Sequence, residues 1–176
     1  MITGDAAQLA VRHAGRSGFA LATRERSLML RFAAGRPTQS TSIDDLTVEI
    51  AIPFEGHVGR ASTNAVDDRS LAECAERARL AGRAAAAAGE GRFPGFDPHQ
   101  AAVTRGPTHD DATAELDPAQ GAAALEQAFE VAQRDGVEAH GIWTAAEQEQ
   151  GWAYDEGGVT FRVRAHPAML ERLQAA

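Results

Sequence analysis

A single cysteine, Cys74, stands in a chain of 176 residues. No internal disulfide can form, which excludes a disulfide-stapled scaffold and fits a reducing compartment. Long apolar runs are missing as well: nothing approaches the roughly 20 residues needed to cross a bilayer. The opening MITGDAAQLAVRHAG has no basic leader followed by a hydrophobic block, so a secretory signal is not expected and a cytoplasmic location is. Positive charge is scarce and scattered. Seventeen basic residues face twenty-five acidic ones, a net charge of −8, and the arginines occur one by one rather than as a tract. That balance opposes long-range attraction to nucleic acid or to an anionic membrane, and neither is expected as a partner.

What is present begins with β-type alternation. GFALATR (18–24) and SLMLRFAAG (27–35) are strand candidates on either side of a polar step at Glu25 and Arg26. Leu28, Leu30 and Phe32 share one face of the second run, and Ser27, Met29 and Arg31 the other. LTVEIAI repeats the pattern with Leu46, Val48, Ile50 and Ile52 on one side. PFEG then supplies a turn before a return strand, HVGRAST. Between these runs lies GRPTQSTS (35–42), eight small or polar residues that read as an exposed strand connection.

Helical spacing follows in DDRSLAECAERARLAGRAAAAAG, where Leu71, Cys74, Ala75, Ala78, Ala81, Gly82 and Ala85 form one stripe. Asp67 or Ser70 could cap its start, Ser70 with Glu73 at capping-box spacing. The small residues imply a helix backbone lying close to its support. Residues 89–116, rich in Gly, Pro, Asp and Thr, read as an internal linker with some local order, pinned by Phe93 and Phe96. A second helix opens at Asp117–Pro118, with Leu125, Ala128, Phe129 and Ala132 as its stripe. VEAHGIWTA, EQGWAYD and VTFRVRA are further strands, Gly157 and Gly158 turning the last two against each other. HPAMLERLQAA reads as a short terminal helix, which favours a self-contained chain. The pattern predicts one domain over 1–176 of the α+β class, a mixed, mainly antiparallel sheet with helices packed on one side.

A search for chemistry returns little. No two of the six histidines, at 13, 57, 99, 109, 140 and 166, are four apart, so no helix face offers a paired-imidazole metal site. His109, Asp110 and Asp111 crowd one loop, which reads as solvated turn. Cys74 reads as a buried, inert thiol. There is no GxSxG elbow and no GK[ST] phosphate loop. No catalytic residue, metal or cofactor is expected. Trp143, Trp152 and Tyr154 read as sheet packing or interface rather than as a base-stacking platform.

The order of segments carries a resemblance. SLMLRFAAGRPTQSTS, then LTVEIAIPFEGHVGRASTN, then SLAECAERARLAGRA, and later LDPAQGAAALEQAFEVAQRDGVEAHGIWTAAE together resemble the N-terminal domain of the TldD/PmbA family, also called modulators of DNA gyrase. The likeness covers most of residues 18–155. It implies kinship with two-domain proteins linked to metal-dependent peptide cleavage, in which a catalytic subunit is often paired with a non-catalytic relative. In the catalytic relatives a zinc motif, H-E-x-x-x-H, lies in the larger C-terminal domain. Here no histidine is followed by glutamate, and no catalytic position carries over.

The leading expectation is a non-catalytic peptide- or protein-interaction module. Arg36, Gln39, Ser40, Thr41 and Ser42, with Ser62, Thr63 and Asn64, are its candidate contact residues. An exposed sheet edge recognises extended polypeptide through backbone hydrogen bonds. The alternative is a partner subunit of a split zinc metalloprotease whose catalytic domain is on another chain. A peptide, a TldD/PmbA-like protein and a second copy of the chain stand as the partners to weigh, and a purely structural role is the third reading.

Overall fold

The computed structural model describes residues 3–96, 110–154 and 161–165, the last of these as backbone only. The element order is α1 (Thr3–Ala14), β1 (Phe19–Ala33), β2 (Arg36–Phe54), β3 (His57–Thr63), α2 (Asp68–Ala88), α3 (Asp111–Ala114), α4 (Pro118–Arg134), β4 (Gly141–Tyr154) and β5 (Phe161–Ala165). The five strands are ordered β3-β2-β1-β4-β5, and the α+β class is the one expected. The chain divides into two compact units. One comprises Met1–Arg24, Asp45–Gly106 and Glu149–Val163; the other comprises Glu25–Asp44, Pro107–Gln148 and Arg164–Ala176.

Two tight turns set the strand pairing. Ala34 and Gly35 have φ of 48° and 65°, and Glu55 and Gly56 have φ of 46° and 72°. Two successive residues at positive φ make the type I′ turn, whose twist matches that of a two-residue hairpin. The second hairpin is antiparallel, with Phe54 opposite His57, Ile50 opposite Ala61 and Val48 opposite Thr63. The first turn is tied down further: the Gly35 N–H donates to the Ala139 carbonyl at 3.0 Å and the Ala34 N–H to His140 Nδ1 at 3.4 Å.

In the first unit α2 lies on the sheet as closely as its small stripe predicts. A Cβ on Gly59 of β3 would stand 1.9 Å from the Ala78 carbonyl oxygen and 2.4 Å from the Gly82 nitrogen, so only glycine permits this approach. Leu71, Cys74, Ala75 and Ala78 are buried with Ala20, Ala22, Val48, Ile50 and Ile52. Ala81, placed on that stripe by its spacing, is exposed, and Gly82 takes the buried position. Asp67 caps the helix, its carboxylate accepting from the Ser70 N–H at 2.9 Å and the Ser70 hydroxyl at 2.7 Å. The Ser70–Glu73 box does not form; Glu73 pairs with Arg69 instead.

Helix α1 is absent from the sequence reading. Its buried face is Ala6, Ala7, Ala10, Val11 and Ala14, a stripe at helical spacing with little hydrophobicity per residue. Its first turn is anchored by Thr3, whose hydroxyl donates to Glu149 Oε1 at 2.6 Å. Phe96 stacks on Phe19 with centroids 5.1 Å apart, and Phe93 meets Phe96 edge-on at 5.0 Å, so both phenylalanines pin the start of the linker as expected.

The second unit has a core of larger side chains: Leu28, Leu30, Phe32, Leu125 and Trp143, with Ala132, Ala139 and Ala145. Helix α4 starts in a full capping box, Asp117 with Gln120, and Pro118 in its first turn. Gly121 faces Trp143 and Leu30, where a Cβ would meet ring carbon at 2.7 Å. The linker does hold local order, in the short α3.

Three strand expectations are corrected. The runs at 18–24 and 27–35 are one strand, β1, continuous through Glu25 and Arg26; Arg26 is paired with Glu147, so the polar step is an ion-paired position on a strand. VEAHGIWTA and EQGWAYD likewise join as β4, which begins only at Gly141. GRPTQSTS is no connection: from Arg36 onward it is the first part of β2. The glycine turn at 157–158 and the terminal helix lie outside the described residues.

Candidate functional site

In a two-residue hairpin the residues flanking the turn, here Ala33 and Arg36, exchange backbone hydrogen bonds. Counting from Arg36 along the regular part of β2, Thr38 and Ser40 also turn their N–H and C=O groups toward β1; Phe54, opposite His57 across the second two-residue turn, faces β3 by the same rule, so the alternation slips by one residue before Val48. Pro37, Gln39 and Thr41 turn theirs the other way. On that other side lies β3, which ends at Thr63 opposite Val48. Among the described residues no strand therefore accompanies positions 36–47 of β2 on that side. Pro37 fits this geometry, because proline is tolerated where a strand's N–H side faces solvent.

Side-chain burial divides β2 at the same place. Arg36 to Ser40 and Ser42 to Asp45 are exposed and Thr41 is half-buried, whereas Val48, Ile50, Ala51 and Ile52 are buried. Ile43, at 39% exposure, is one of three large apolar side chains left open among the described residues. Within the open stretch the Gln39 amide donates to the Thr41 hydroxyl at 3.2 Å, a contact between side chains two apart on one face.

Of the eight candidate residues, Arg36, Gln39, Ser40, Thr41 and Ser42 are thus brought together on one strand edge in the second unit. Ser62, Thr63 and Asn64 belong to the first unit, at the end of β3. Their groups are engaged locally: the Ser62 carbonyl accepts from Arg77 at 2.7 Å, and the Thr63 hydroxyl accepts from the Ala65 N–H at 3.1 Å. Pro37, Ile43 and Asp44 share the open edge but were not marked by the sequence. The two-residue step Ala34–Gly35 between strand-forming runs was the signal that could have extended the strand over them.

Among the described residues no group of three or more His, Cys, Asp or Glu is placed to hold a metal ion. His13 pairs with Asp68 at 3.0 Å, His57 meets the Gly89 carbonyl, and His140 bridges Ala34 and Glu138. His99, His109 and His166 lie outside the described residues. Cys74 is buried as expected, and burial pushes its thiol pKa up, with Arg77 opposing; such a thiol is a poor nucleophile. No described helix is long and apolar enough to cross a membrane.

Residues 19–82 match the family model for PmbA/TldA metallopeptidase domain 1. Three solved structures share the fold: TldE from Thermococcus kodakarensis (TM-score 0.69, 11% identity, 96% of this chain and 39% of that one), a candidate modulator of DNA gyrase from Thermotoga maritima (0.64, 17%, 90% and 36%), and another from Bacteroides thetaiotaomicron (0.65, 15%, 91% and 38%). The chain is a distant but consistent match to the TldD/PmbA family, in its N-terminal domain region. No curated protein matches it in sequence.

The TldD/PmbA match spans β1, β2, β3 and most of α2, so all eight candidate residues lie inside it. The chain spans less than two fifths of the length of the TldD/PmbA structures it resembles.

Proposed function

We propose that this chain is a non-catalytic interaction module that binds an extended polypeptide along the outer edge of β2. The observation that carries the reading is the open stretch of β2 from Arg36 onward, held by β1 on one side and accompanied by no described strand on the other. The incoming strand would bond to the Pro37 carbonyl and to the N–H and C=O of Gln39 and Thr41. Arg36, Ser40 and Ser42 then supply side-chain contacts; Ser62, Thr63 and Asn64 receive none in this reading. Similarity to a metallopeptidase domain 1, together with the lack of a metal-holding cluster among the described residues, supports binding rather than cleavage.

Magnitudes limit what the edge can do alone. A backbone hydrogen bond adds about 1 kcal/mol net, so a few of them only match the roughly 4 kcal/mol or more that association costs. Side-chain contacts must therefore set both affinity and choice of partner.

The test is a selection of displayed heptapeptides on the immobilised chain, followed by binding to Thr41→Pro, which removes an outward N–H. Enriched peptides should lose at least about tenfold in affinity on the variant, the equivalent of about 1.4 kcal/mol. Enrichment that is indifferent to Thr41→Pro, or no enrichment at all, overturns the reading.

A further inference from the structure

In the first unit the β2–β3 turn and the start of the linker enclose a cavity of about 320 Å³. Phe54, Phe93, Phe96 and Tyr154 bring four aromatic rings to its lining, with Glu55 and His57 beside them. Backbone contacts set its walls. The Phe93 N–H donates to the Gly56 carbonyl at 2.7 Å, and His57 Nε2 donates to the Gly89 carbonyl at 3.0 Å. A Cβ on Gly91 would stand 2.2 Å from the Gly56 carbonyl oxygen, so only glycine lets the linker press against the turn. Phe96 is held in turn by its stack on Phe19 and its edge contact with Phe93. The chain thus builds the cavity by itself, which lowers the ordering cost that a ligand must meet.

Two polar groups of the lining are without partners among the described residues. Tyr154 is only 9% exposed, yet its hydroxyl makes no hydrogen bond there, although a buried phenol ordinarily finds one. No side-chain oxygen sealed from solvent lacks a partner among the described residues, so this hydroxyl is open, and it opens on the cavity that Tyr154 lines. Glu55, at φ 46° in the turn, makes no ion pair or hydrogen bond among the described residues. It is the one acidic residue of the lining, which holds no arginine or lysine. A carboxylate only accepts, and a phenol oxygen accepts as well. Together they call for a cation that donates N–H bonds. The rings choose among such cations. A guanidinium is planar, weakly hydrated and stacks on aromatic faces, and its fork of donors matches a carboxylate; an ammonium is a compact, strongly hydrated charge.

We infer that this cavity binds a guanidinium group, whose N–H bonds go to the Glu55 carboxylate and the Tyr154 hydroxyl and whose flat faces meet the aromatic lining. An arginine side chain of a polypeptide and a small guanidino compound share this chemistry. The site belongs to the first unit and is independent of the β2 edge, so each reading stands or falls by its own test. One exposed carboxylate and a few ring contacts make the binding weak, with a Kd of about 1 mM.

Titration of the whole chain followed by nuclear magnetic resonance tests it, with Nα-acetyl-arginine amide as the probe and its citrulline and lysine counterparts as controls. Citrulline keeps the shape of arginine but ends in a neutral urea. The arginine probe should saturate at a Kd of about 1 mM and move the amide signals of Gly56 and Phe93. Citrulline should bind about tenfold more weakly and lysine about threefold. Glu55→Gln should weaken arginine about fivefold and leave citrulline unchanged. Tyr154→Phe takes away the hydroxyl and keeps the packed ring, and it should weaken arginine about threefold.

Citrulline or lysine binding as tightly as arginine overturns the inference. So does arginine binding that is indifferent to Glu55→Gln, or the lack of a saturable shift up to about 20 mM. Free arginine, with its own α-ammonium and carboxylate, separates the two sources. A capped probe that binds as tightly or more tightly points to a polypeptide side chain, and tighter binding of free arginine points to a small guanidino compound; either result supports the site.

Discussion

The two ends of β2 are one continuous strand in very different surroundings. From Val48 to Phe54 it lies between β1 and β3, with Val48, Ile50 and Ile52 beneath α2. From Arg36 to Asp45 only β1 accompanies it among the described residues, and its side chains are exposed apart from the half-buried Thr41. Alternating hydrophobicity marks the covered half because one face must leave water. The open half shows no alternation, since neither hydroxyl face gains by burial, and its conformation is imposed by the turn and by β1. An absent pattern in this chain therefore marks a strand whose side chains stay outside the core.

Substitutions can break that comparison, beginning where the effect is greatest. Trp143→Ala, which empties the core of the second unit, should cost about 3–5 kcal/mol in urea unfolding; an effect near zero would mean that the unit is not packed as described. Gly59→Ala should cost about 3 kcal/mol or more, because its Cβ meets helix backbone rather than a movable side chain. Proline scanning of β2 compares the halves directly. Ala51→Pro removes a ladder bond in the covered half and should destabilise by about 3 kcal/mol, whereas Thr41→Pro should stay within about 1 kcal/mol. Equal losses at the two sites would show the edge to be covered.

Smaller effects sharpen the picture. Ala34→Gly relieves a positive φ in the turn that starts the open half and should raise stability by about 0.5 kcal/mol, a gain reduced by the freer unfolded chain. At the α2 cap the hydrogen bonds from Ser70 hold the Asp67 pKa below its ordinary 3.8. A carboxyl depressed in the folded state stabilises above its unfolded value and loses that contribution as pH falls through its folded value. The melting-temperature gap between wild type and Asp67→Ala should thus be full at neutral pH and shrink below pH 3.8. A gap unchanged down to the acid limit would rule out a carboxylate cap.

The covered half was legible because its causes are local and periodic. LTVEIAI, the PFEG turn, the alanine face of α2 and the Asp117–Pro118 start of α4 each announce themselves within a few residues. The misreadings share a cause too. Glu25 and Arg26 looked like a break because the partner that makes Arg26 acceptable on a strand, Glu147, is more than a hundred residues away. Helix α1 was overlooked because an alanine stripe is weakly hydrophobic, although Ala6, Ala10 and Ala14 keep its spacing. The five edge candidates were chosen for their polarity, and the strand then placed them together. Ser62, Thr63 and Asn64 were chosen on the same ground and fell in another unit.

Adjacent residues suffice to say where this chain bends back, where its helices begin and which face of each wants burial. Turn φ values, caps and side-chain periodicity are all properties of a few neighbouring residues. Which stretch of strand goes without a neighbour among the described residues is another matter. It follows from β3 stopping at Thr63, opposite Val48, and backbone pairing across a sheet is a contact between distant segments that no short window encodes.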